Sequence, residues 1–280
     1  MDSLRSLWAF VRSSLIAVDI DEFEAEVLVR FVTSMSRVDF YTKLDHPVNS
    51  SIKDRVIYYL EKRLAGEPLS YITEEREFYG LNFSVNPYVL IPRAETEDLV
   101  ESTIRVLQQK YQTNSLVADI GTGTGAIAVS IATFCTQITV FATDISLSAL
   151  QVAKHNIISH DLQDRILLKC GDLLDAIPTK VDLIIANLPY LSKSDLKKIS
   201  IEVQKEPSIA LDGGMEGLDL ILRMILQSQN YLKPNGCLVL EIAPKQIQKV
   251  SEYISEVYGK VEIIPIIDSN QMIRGVSAFI

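Results

Sequence analysis

The fold follows most directly from the stretch Leu116-Val-Ala-Asp-Ile-Gly-Thr-Gly-Thr-Gly-Ala-Ile-Ala128. An apolar run of strand length reaches an acid, Asp119, and then breaks into three glycines at alternate positions before apolar residues resume at helical spacing. The pattern predicts a strand, a tight turn and a helix N-terminus. Glycines lack the β-carbons that would keep a ligand off the backbone, and the first N–H groups of a helix have no partner within it. The turn is therefore suited to a nucleotide-like ligand.

The glycines of this turn are Gly121, Gly123 and Gly125, and Ala126 follows them. Their spacing also satisfies the loose dinucleotide fingerprint, so it does not separate NAD from S-adenosylmethionine. Asp119 favours the methyl donor, because its carboxylate could accept a hydrogen bond from a cationic amino group but would repel a pyrophosphate. A glycine-rich turn without a ligand is the remaining alternative.

Composition narrows the class of protein. The 280 residues suffice for one or two domains, and the N-terminus lacks the pattern of a signal peptide. No apolar run approaches the roughly 18 residues of a membrane span. We therefore expect a cytoplasmic protein that does not bind membranes. The net charge of -9 argues against a partner held mainly through its phosphates, so direct contact with nucleic acid is not expected.

The three cysteines, Cys135, Cys170 and Cys237, are widely separated and include no C-x-x-C pair. They fit neither a disulfide framework nor a zinc site, and we interpret them as small buried thiols. The three histidines form no pair at metal-ligand spacing either. No metal site is expected.

Residues 1–75 show helical spacing and almost no strand character, which predicts a small helical domain. This domain either caps the larger one or grips a macromolecular partner. Its three clearest helical segments are 4–16, 21–32 and 51–64. A predicted β-hairpin with its turn at Gly80-Leu81-Asn82 joins it to a second domain, residues 76–280.

Beyond the hairpin, strands and helices alternate along the chain. A helix is predicted to begin at Thr96 or Glu97. The other predicted strands are 116–120, 138–143, 165–169, 181–186, 236–242, 260–266 and 275–280. One further helix is predicted to begin directly after Gly125, and three more are predicted at 147–158, 216–232 and 244–258. This alternation predicts an α/β fold with a Rossmann-like, doubly wound sheet whose ligands bind at the carboxyl ends of the strands.

Polar residues follow two strands next to the glycine turn. Asp144 ends a strand about 20 residues beyond the turn, where an acid meets ribose hydroxyls in nucleotide-binding folds. Asp172 and Leu173 follow the next strand, where the carboxylate could accept from an adenine amino group and the leucine could cover the ring. Helix capping is the alternative interpretation of both acids.

Asn187-Leu188-Pro189-Tyr190 follows the strand predicted at 181–186. The side-chain carbonyl of Asn187 and the backbone carbonyl of Leu188 can accept the two hydrogens of one NH₂ group. An amide or aromatic amine is a poor nucleophile, and two acceptors in front of a sulfonium methyl would localise its lone pair. Pro189 stiffens the turn, and Tyr190 offers a face for a planar group. An ordinary Asn-x-Pro turn is the alternative.

With these residues the chain resembles the HemK-like family of peptide chain release factor glutamine N5-methyltransferases, which are class I S-adenosylmethionine-dependent methyltransferases. The resemblance covers nearly the whole chain. Besides the glycine turn and Asn187–Tyr190, it is carried by Gly66-Glu-Pro-Leu-Ser-Tyr-Ile, Phe78-Tyr-Gly-Leu, Ile91-Pro-Arg-Ala-Glu-Thr-Glu, Glu206-Pro-Ser-Ile-Ala-Leu-Asp-Gly-Gly-Met-Glu-Gly-Leu and Glu241-Ile. The segments that begin at Ile91 and Glu206 are much more particular to this family than the glycine turn.

The resemblance implies a Rossmann-like methyltransferase fold and methyl transfer to the glutamine of the Gly-Gly-Gln motif in release factors. It implies that the N-terminal domain contacts the release factor and that Asn187 to Tyr190 receive the glutamine. The residues that it assigns to S-adenosylmethionine are Gly121, Thr122, Gly123, Thr124, Gly125, Asp144, Asp172, Leu173 and Asn187. We expect a monomer.

Two positions depart from the family pattern, because Leu188 and Ala94 stand where the family usually has proline. Leu188 keeps the backbone carbonyl that the mechanism needs, so activity is expected to persist. Asn-Leu-Pro-Tyr also resembles the motif of ribosomal-RNA adenine N6-dimethyltransferases, which makes a nucleic-acid methyltransferase the main alternative. An NAD-dependent oxidoreductase would leave Asn187 to Tyr190 without a role. The two substitutions are the only support for a catalytically silent adapter that binds the donor.

Overall fold

The computed structural model describes residues 3–111 and 114–280, which fall into two compact units. Unit 1 consists of Met1–Glu74 and Ile201–Lys205, and unit 2 consists of Glu75–Ser200 and Glu206–Ile280. The boundary predicted from sequence lies one residue beyond this division. The return of Ile201–Lys205 to unit 1 has no signature in the sequence pattern.

Unit 1 is helical, and its helices are α1 Leu4–Ile16, α2 Glu24–Thr33, α3 Arg37–Thr42, α4 Ser50–Leu64 and α5 Leu69–Thr73. Side chains that accept from backbone N–H groups cap α1, α3 and α4, at Ser3, Ser36 and Asn49. Helical spacing predicts α1, α2 and α4. It misses α3 and α5 because helices of five or six residues are too short to show a period.

The core of unit 1 is formed by the apolar faces of its first four helices, with Leu7, Leu28, Phe40 and Val56 fully buried. Arg63 of α4 is also buried, and it pairs with Glu24 at 2.5 Å and with Glu202 at 3.2 Å. A buried guanidinium needs such partners, because an unpaired charge inside a protein is strongly destabilising. The second pair attaches Ile201–Lys205 to this unit.

Unit 2 begins with an antiparallel hairpin of β1 Glu75–Phe78 and β2 Leu81–Ser84. The two turn residues are Tyr79 and Gly80, with φ of 52° and 73°. Positive φ at both positions is typical of the two-residue turn that matches the right-handed twist of a hairpin. The predicted turn at Gly80-Leu81-Asn82 is therefore wrong, since Leu81 and Asn82 pair with Phe78 and Glu77.

The remaining strands form one seven-stranded sheet. They are β3 Ser115–Ile120, β4 Ile138–Asp144, β5 Ile166–Cys170, β6 Val181–Ala186, β7 Leu232–Glu241, β8 Glu262–Ile267 and β9 Ile273–Phe279. Their order is β5-β4-β3-β6-β7-β9-β8. The first five strands in this order are parallel to one another, and β9 is antiparallel to its two neighbours, β7 and β8. The predicted α/β fold class, with a doubly wound sheet after an N-terminal helical region, is confirmed.

Helices cover both faces of this sheet: α6 Glu95–Lys110, α7 Ala126–Phe134, α8 Leu147–Ser159, α9 Asp219–Tyr231 and α10 Ile247–Tyr258. Core residues of α6, α7 and α8 share one cluster with Val117 of β3, whereas those of α9 and α10 share another with Ala118 and Ile120. Successive strand residues point to opposite faces. A strand buried on both faces must therefore be largely apolar, as β3 is apart from Ser115 at its start and Asp119 near its end.

Several predicted boundaries shift by one to four residues. Helix α6 begins at Glu95, α9 begins at Asp219 and not at 216, and β7 begins at Leu232 and not at 236. Helix α10 is preceded by a 3₁₀ turn, Pro244–Gln246. Cys135 and Cys237 are buried as predicted, but Cys170 is exposed because it ends the edge strand β5.

The sheet order creates a binding crevice. From β3 the chain moves outward to β4 and β5, and it then returns to β6 on the other side of β3. Ligands of open α/β sheets bind at the carboxyl ends of the strands where the order reverses in this way. In the part of the chain that the structure describes, no helix combines the length and the apolar character needed to cross a membrane.

Candidate active site

A cavity of about 390 Å³ lies in unit 2 at this switch point. Small-molecule sites commonly span about 300–1,000 Å³, so its size suits a ligand such as a nucleoside derivative. Four groups of residues at the strand ends line the cavity, namely 120–124, 143–146, 171–173 and 187–189. The other lining residues include Tyr88, Pro92, Arg93, Thr96, Pro207, Ile209 and Arg223. The structure thus places most of the candidate site residues selected from the sequence around one cavity.

The glycine turn has the geometry that its composition predicts. Gly121, Gly123 and Gly125 all have positive φ, of 74°, 55° and 79°. The N–H groups of Gly121 and Thr122 both donate to the Thr143 carbonyl, at 2.9 and 2.8 Å, which fixes the turn against β4. A β-carbon on Gly123 would meet only a backbone oxygen, at 4.0 Å, so it would extend into the cavity. A side chain at position 123 would therefore occupy the space that a ligand needs.

Asp144 lies in the cavity wall at the end of β4. Its two carboxylate oxygens accept hydrogen bonds from the N–H groups of Gly123, at 2.9 Å, and Ser146, at 2.8 Å. Burial raises the pKa of this carboxyl, and the backbone hydrogen bonds oppose the shift. The side chain is therefore fixed in orientation beside the glycine turn, where its remaining lone pairs can accept from ligand hydroxyls.

Asp119 lies near the end of β3, two residues before the first glycine of the turn. It is completely buried, it accepts a hydrogen bond of 2.6 Å from the Thr122 hydroxyl, and it is not among the residues that line the cavity. Burial raises the pKa of its carboxyl to about 7. A contact between this carboxylate and the amino group of a methyl donor stays a prediction. Its contact with Thr122 holds the glycine turn from beneath.

Asp172 and Leu173 both line the cavity. Leu173 has φ of 49°, unusual for a non-glycine residue, and its carbonyl accepts from the Thr143 hydroxyl at 3.1 Å. Asp172 pairs with Arg223 of α9 at 2.5 Å, and Arg223 also lines the cavity. Nothing in the sequence marked Arg223, since it lies on a helix some 50 residues away with ordinary helical spacing.

Asn187, Leu188 and Pro189 line the cavity, but Tyr190 does not. The Tyr190 hydroxyl donates to Glu241 Oε1 at 3.3 Å, and burial raises the pKa of the phenol. That Tyr190 offers its face to a bound planar group stays a prediction. Its hydroxyl anchors the end of the tetrapeptide to Glu241 at the end of β7.

The two oxygens that the sequence selected as acceptors are free. No described residue donates a hydrogen bond to Asn187 Oδ1 or to the Leu188 carbonyl oxygen. The Leu188 side chain packs over the glycine turn, with Cδ2 3.1 Å from the position that a β-carbon on Gly121 would take. Leu188, which stands where the family usually has proline, thus connects the tetrapeptide to the glycine turn through its side chain.

The segment that begins at Glu206 supports the tetrapeptide from behind, a role that the sequence did not assign. A β-carbon on Gly213 would lie 2.5 Å from the Pro189 carbonyl oxygen, and one on Gly217 would lie 2.1 Å from that of Tyr190. Gln246 Nε2 donates to the carbonyls of Tyr190 and Gly217, at 3.1 and 2.9 Å. The run of glycines after residue 212 was the only signal of this close approach.

The two family-particular segments meet at Glu206. Its buried carboxylate accepts from the Ile91 N–H at 3.0 Å and pairs with the Arg93 guanidinium. The Arg93 guanidinium, which lines the cavity, is therefore held in place by a buried carboxylate. Ala94 has φ of -58°, within the range that proline imposes, so the backbone keeps the same path without the ring.

Comparison with known proteins identifies the family. The family model "Methyltransferase small domain" matches residues 98–206, and "PrmC N-terminal domain" matches residues 7–73. The release factor glutamine methyltransferase of Moorella thermoacetica is 37% identical over 253 residues, which are 89% of this chain and 88% of that one. This chain belongs to the release factor glutamine methyltransferase family. The family member from Streptococcus pneumoniae is 38% identical over 234 residues, 82% of each chain.

Solved structures agree with the fold. The Thermus thermophilus 16S rRNA N2 G1207 methyltransferase, solved with AdoMet and guanosine, superposes with a TM-score of 0.54 at 16% identity, over 73% of this chain and 49% of that one. Likeness at this identity concerns the fold alone. Membership of the release factor glutamine methyltransferase family makes this chain a methyltransferase and confirms the resemblance described from its motifs.

Proposed function

We propose that the protein transfers a methyl group from S-adenosylmethionine to the side-chain amide nitrogen, N5, of the glutamine in the Gly-Gly-Gln motif of peptide chain release factors. The observation that carries this proposal is the pair of free oxygens on Asn187 and Leu188, two residues that line the same cavity as the glycine turn. The names of the relatives support release factors as the substrate class.

The cavity wall fits the proposed donor. The positive-φ glycines leave the room that a nucleoside derivative needs, Asp144 is oriented to accept from ribose hydroxyls, and Asp172 with Leu173 can bind and cover an adenine. S-adenosylmethionine supplies an electrophilic methyl carbon attached to a positively charged sulfur. The acidic side chains in the wall suit a ligand with hydroxyl and amino donors.

In the proposed mechanism, Asn187 and Leu188 increase the nucleophilicity of the glutamine amide nitrogen, which is low in a free amide. Their two oxygens can each accept one N–H hydrogen of the glutamine NH₂, which holds its nitrogen toward the methyl carbon and opposes delocalisation of its lone pair. That lone pair forms the new N–C bond, while the electron pair of the broken C–S bond stays on sulfur. One of the two N–H protons leaves to solvent. Positioning and electrostatics thus replace a strong base.

Mass spectrometry of substrates after reaction tests the proposed function. The protein is incubated with isotope-labelled S-adenosylmethionine and either a bacterial release factor or ribosomal RNA. We expect one added methyl on the Gly-Gly-Gln peptide of the release factor. Label in the RNA, with none in that peptide, would instead identify a nucleic-acid methyltransferase and overturn the proposal.

We also propose that residues 1–75 contact the release factor, with residues 76–280 forming the methyltransferase domain. Phe23, the N-cap residue of α2, is 73% exposed, and Val27, one turn further along, is 41% exposed. Neighbouring exposed apolar side chains of this kind commonly mark protein-binding surfaces.

Serine substitution of both residues tests this contact. In Phe23→Ser/Val27→Ser we expect about a fivefold higher KM for the release factor, because truncating an interface anchor costs about 1 kcal/mol or more. The KM for the methyl donor is the control and should not change, since the donor cavity lies in unit 2. Unaltered KM for the release factor would remove this surface from the binding site.

A further inference from the structure

The carboxylate of Asp172 in the cavity wall is held by a single side chain. Arg223 of α9 donates from Nη2 to Asp172 Oδ1 at 2.5 Å, and no other described residue hydrogen-bonds to this carboxylate. Asp144 differs, because two backbone N–H groups fix its two oxygens. The orientation of Asp172 therefore depends on Arg223, and its second oxygen, Oδ2, stays available to a ligand.

Helix α9 runs along the loop that follows β5. Its residues Leu220, Arg223 and Gln227 share one face, because residues three and four apart are neighbours on a helix. Leu220 and Arg223 line the cavity. Gln227 accepts from the Leu174 N–H and donates to Asp175 Oδ1, both at 3.4 Å. These contacts hold Arg223 beside the loop.

We propose that Arg223 is a positioning residue that sets the specificity for the base of the methyl donor. By bonding to Oδ1, it aims Oδ2 of Asp172 at the exocyclic amino group of adenine. A carboxylate aimed in this way accepts from a 6-amino group, but it repels the 6-oxo group of a deaminated purine, which has only lone pairs to offer. This inference rests on the proposed function, in which Asp172 binds the adenine of S-adenosylmethionine.

Folding stability gives little reason for this ion pair. Both side chains are nearly half exposed in the open cavity, 46% for Arg223 and 43% for Asp172. Exposed pairs of this kind contribute little to stability, because water weakens their attraction. A bound nucleoside would exclude that water, and hydrogen bonds to charged groups are stronger where water is excluded. The pair therefore has its largest effect when a ligand is bound.

Two ligands that differ at the 6-position of the purine test the proposal by direct binding. S-adenosylhomocysteine is the product that S-adenosylmethionine leaves after methyl transfer, and S-inosylhomocysteine carries an oxygen in place of its 6-amino group. Isothermal titration calorimetry gives the dissociation constant of each. We expect the wild-type protein to bind the inosyl compound about 100-fold more weakly, because the site loses a hydrogen bond and gains a repulsion.

Arg223→Met removes the guanidinium but keeps an unbranched side chain. We expect it to reduce the ratio of the two dissociation constants by about fivefold or more, because Asp172 loses the one hydrogen bond that orients it. Arg105→Met is the matched control, since Arg105 is an exposed arginine of α6 that pairs with Glu101 and does not line the cavity. The control should keep the ratio within about twofold of the wild-type value.

A double-mutant cycle with Asp172→Asn shows whether Arg223 acts through the carboxylate. An amide at this position can turn its oxygen toward a 6-amino group or its NH₂ toward a 6-oxo group, so the ratio should fall to within about threefold of one. Adding Arg223→Met to Asp172→Asn should then change the ratio by less than about twofold. A larger change in that background would mean that Arg223 contacts the base itself, which contradicts the positioning role.

The outcomes separate the inference from the proposed function. An unchanged ratio in Arg223→Met, with or without equal weakening of both ligands, would overturn the inference and leave the proposed function intact. A merely structural Arg223 predicts that equal weakening, together with a lower melting temperature. A wild-type ratio near one would also overturn the inference, since Asp172 would not distinguish the two bases. If the wild-type protein did not bind S-adenosylhomocysteine, the proposed donor would fail and the inference with it.

Discussion

Asn187→Ala is expected to lower kcat for methylation of a release factor by about 10²- to 10³-fold, the usual effect of removing one preorganised group that acts on the reacting atoms. The Leu188 carbonyl remains, so one of the two acceptors persists, but a single acceptor neither fixes the NH₂ group in line nor opposes delocalisation of its lone pair. Single-turnover kinetics with saturating release factor and S-adenosylmethionine measure this loss directly.

The dissociation constant for S-adenosylmethionine serves as the internal control and should rise by less than about tenfold, because the glycine turn and Asp144 are untouched. Asn82→Ala is the matched control variant, since Asn82 is an exposed asparagine in strand β2 of the same unit. If Asn187→Ala turned over at the wild-type rate, the two-acceptor mechanism would have to be abandoned.

Gly123→Leu is expected to weaken binding of S-adenosylmethionine by about 100-fold or more, equivalent to ~2.7 kcal/mol. A β-carbon at this position meets no protein atom closer than 4.0 Å, and the residue lies in the cavity wall. The added side chain therefore fills ligand space and disturbs little of the protein. Isothermal titration calorimetry with S-adenosylmethionine measures the change, and thermal shift with the same ligand gives an independent readout.

Gly80→Leu is the matched control, because Gly80 also has positive φ, 73° against 55° for Gly123, and also has open space where the β-carbon would be. Both variants should lose a similar stability of about 1–2 kcal/mol from placing a side chain in the left-handed region. Only Gly123→Leu should lose donor affinity. Equal affinities in the two variants would show that the donor does not occupy this cavity.

Strands, helices and the glycine turn could be predicted from the sequence because their signals are local. The apolar run through Val117 and Ile120 predicts a strand buried on both faces, and the alternate glycines after it are typical of a turn of this kind. The start of α9 was predicted too early, since periodicity marks the middle of an element better than its ends. The start of β7 was predicted too late because Lys233-Pro-Asn-Gly236 has the composition of a turn, although the strand includes it.

The roles of individual side chains were less predictable. Asp119 and Tyr190 were both assigned to ligands because each stands next to a ligand-binding motif in the chain. The structure turns Asp119 beneath the glycine turn and Tyr190 toward Glu241. Adjacency in sequence does not specify the direction of a side chain, because a shift of one residue moves it from one face of the sheet to the other.

The order of amino acids along the chain was enough to establish the fold class, the glycine cradle and the tetrapeptide at the end of the next central strand, since each depends on residues that are neighbours in the chain. The folded molecule was needed to establish the pairing of Glu206 with Arg93, the packing of Gly217 against Tyr190, and the hydrogen bond from Asn187 to Thr96. These contacts join residues about 30 to 110 positions apart, and they arise because parallel strands bring their carboxyl ends to one edge of the sheet. No local pattern encodes which strands become neighbours, so the support of the site was visible only after the chain had folded.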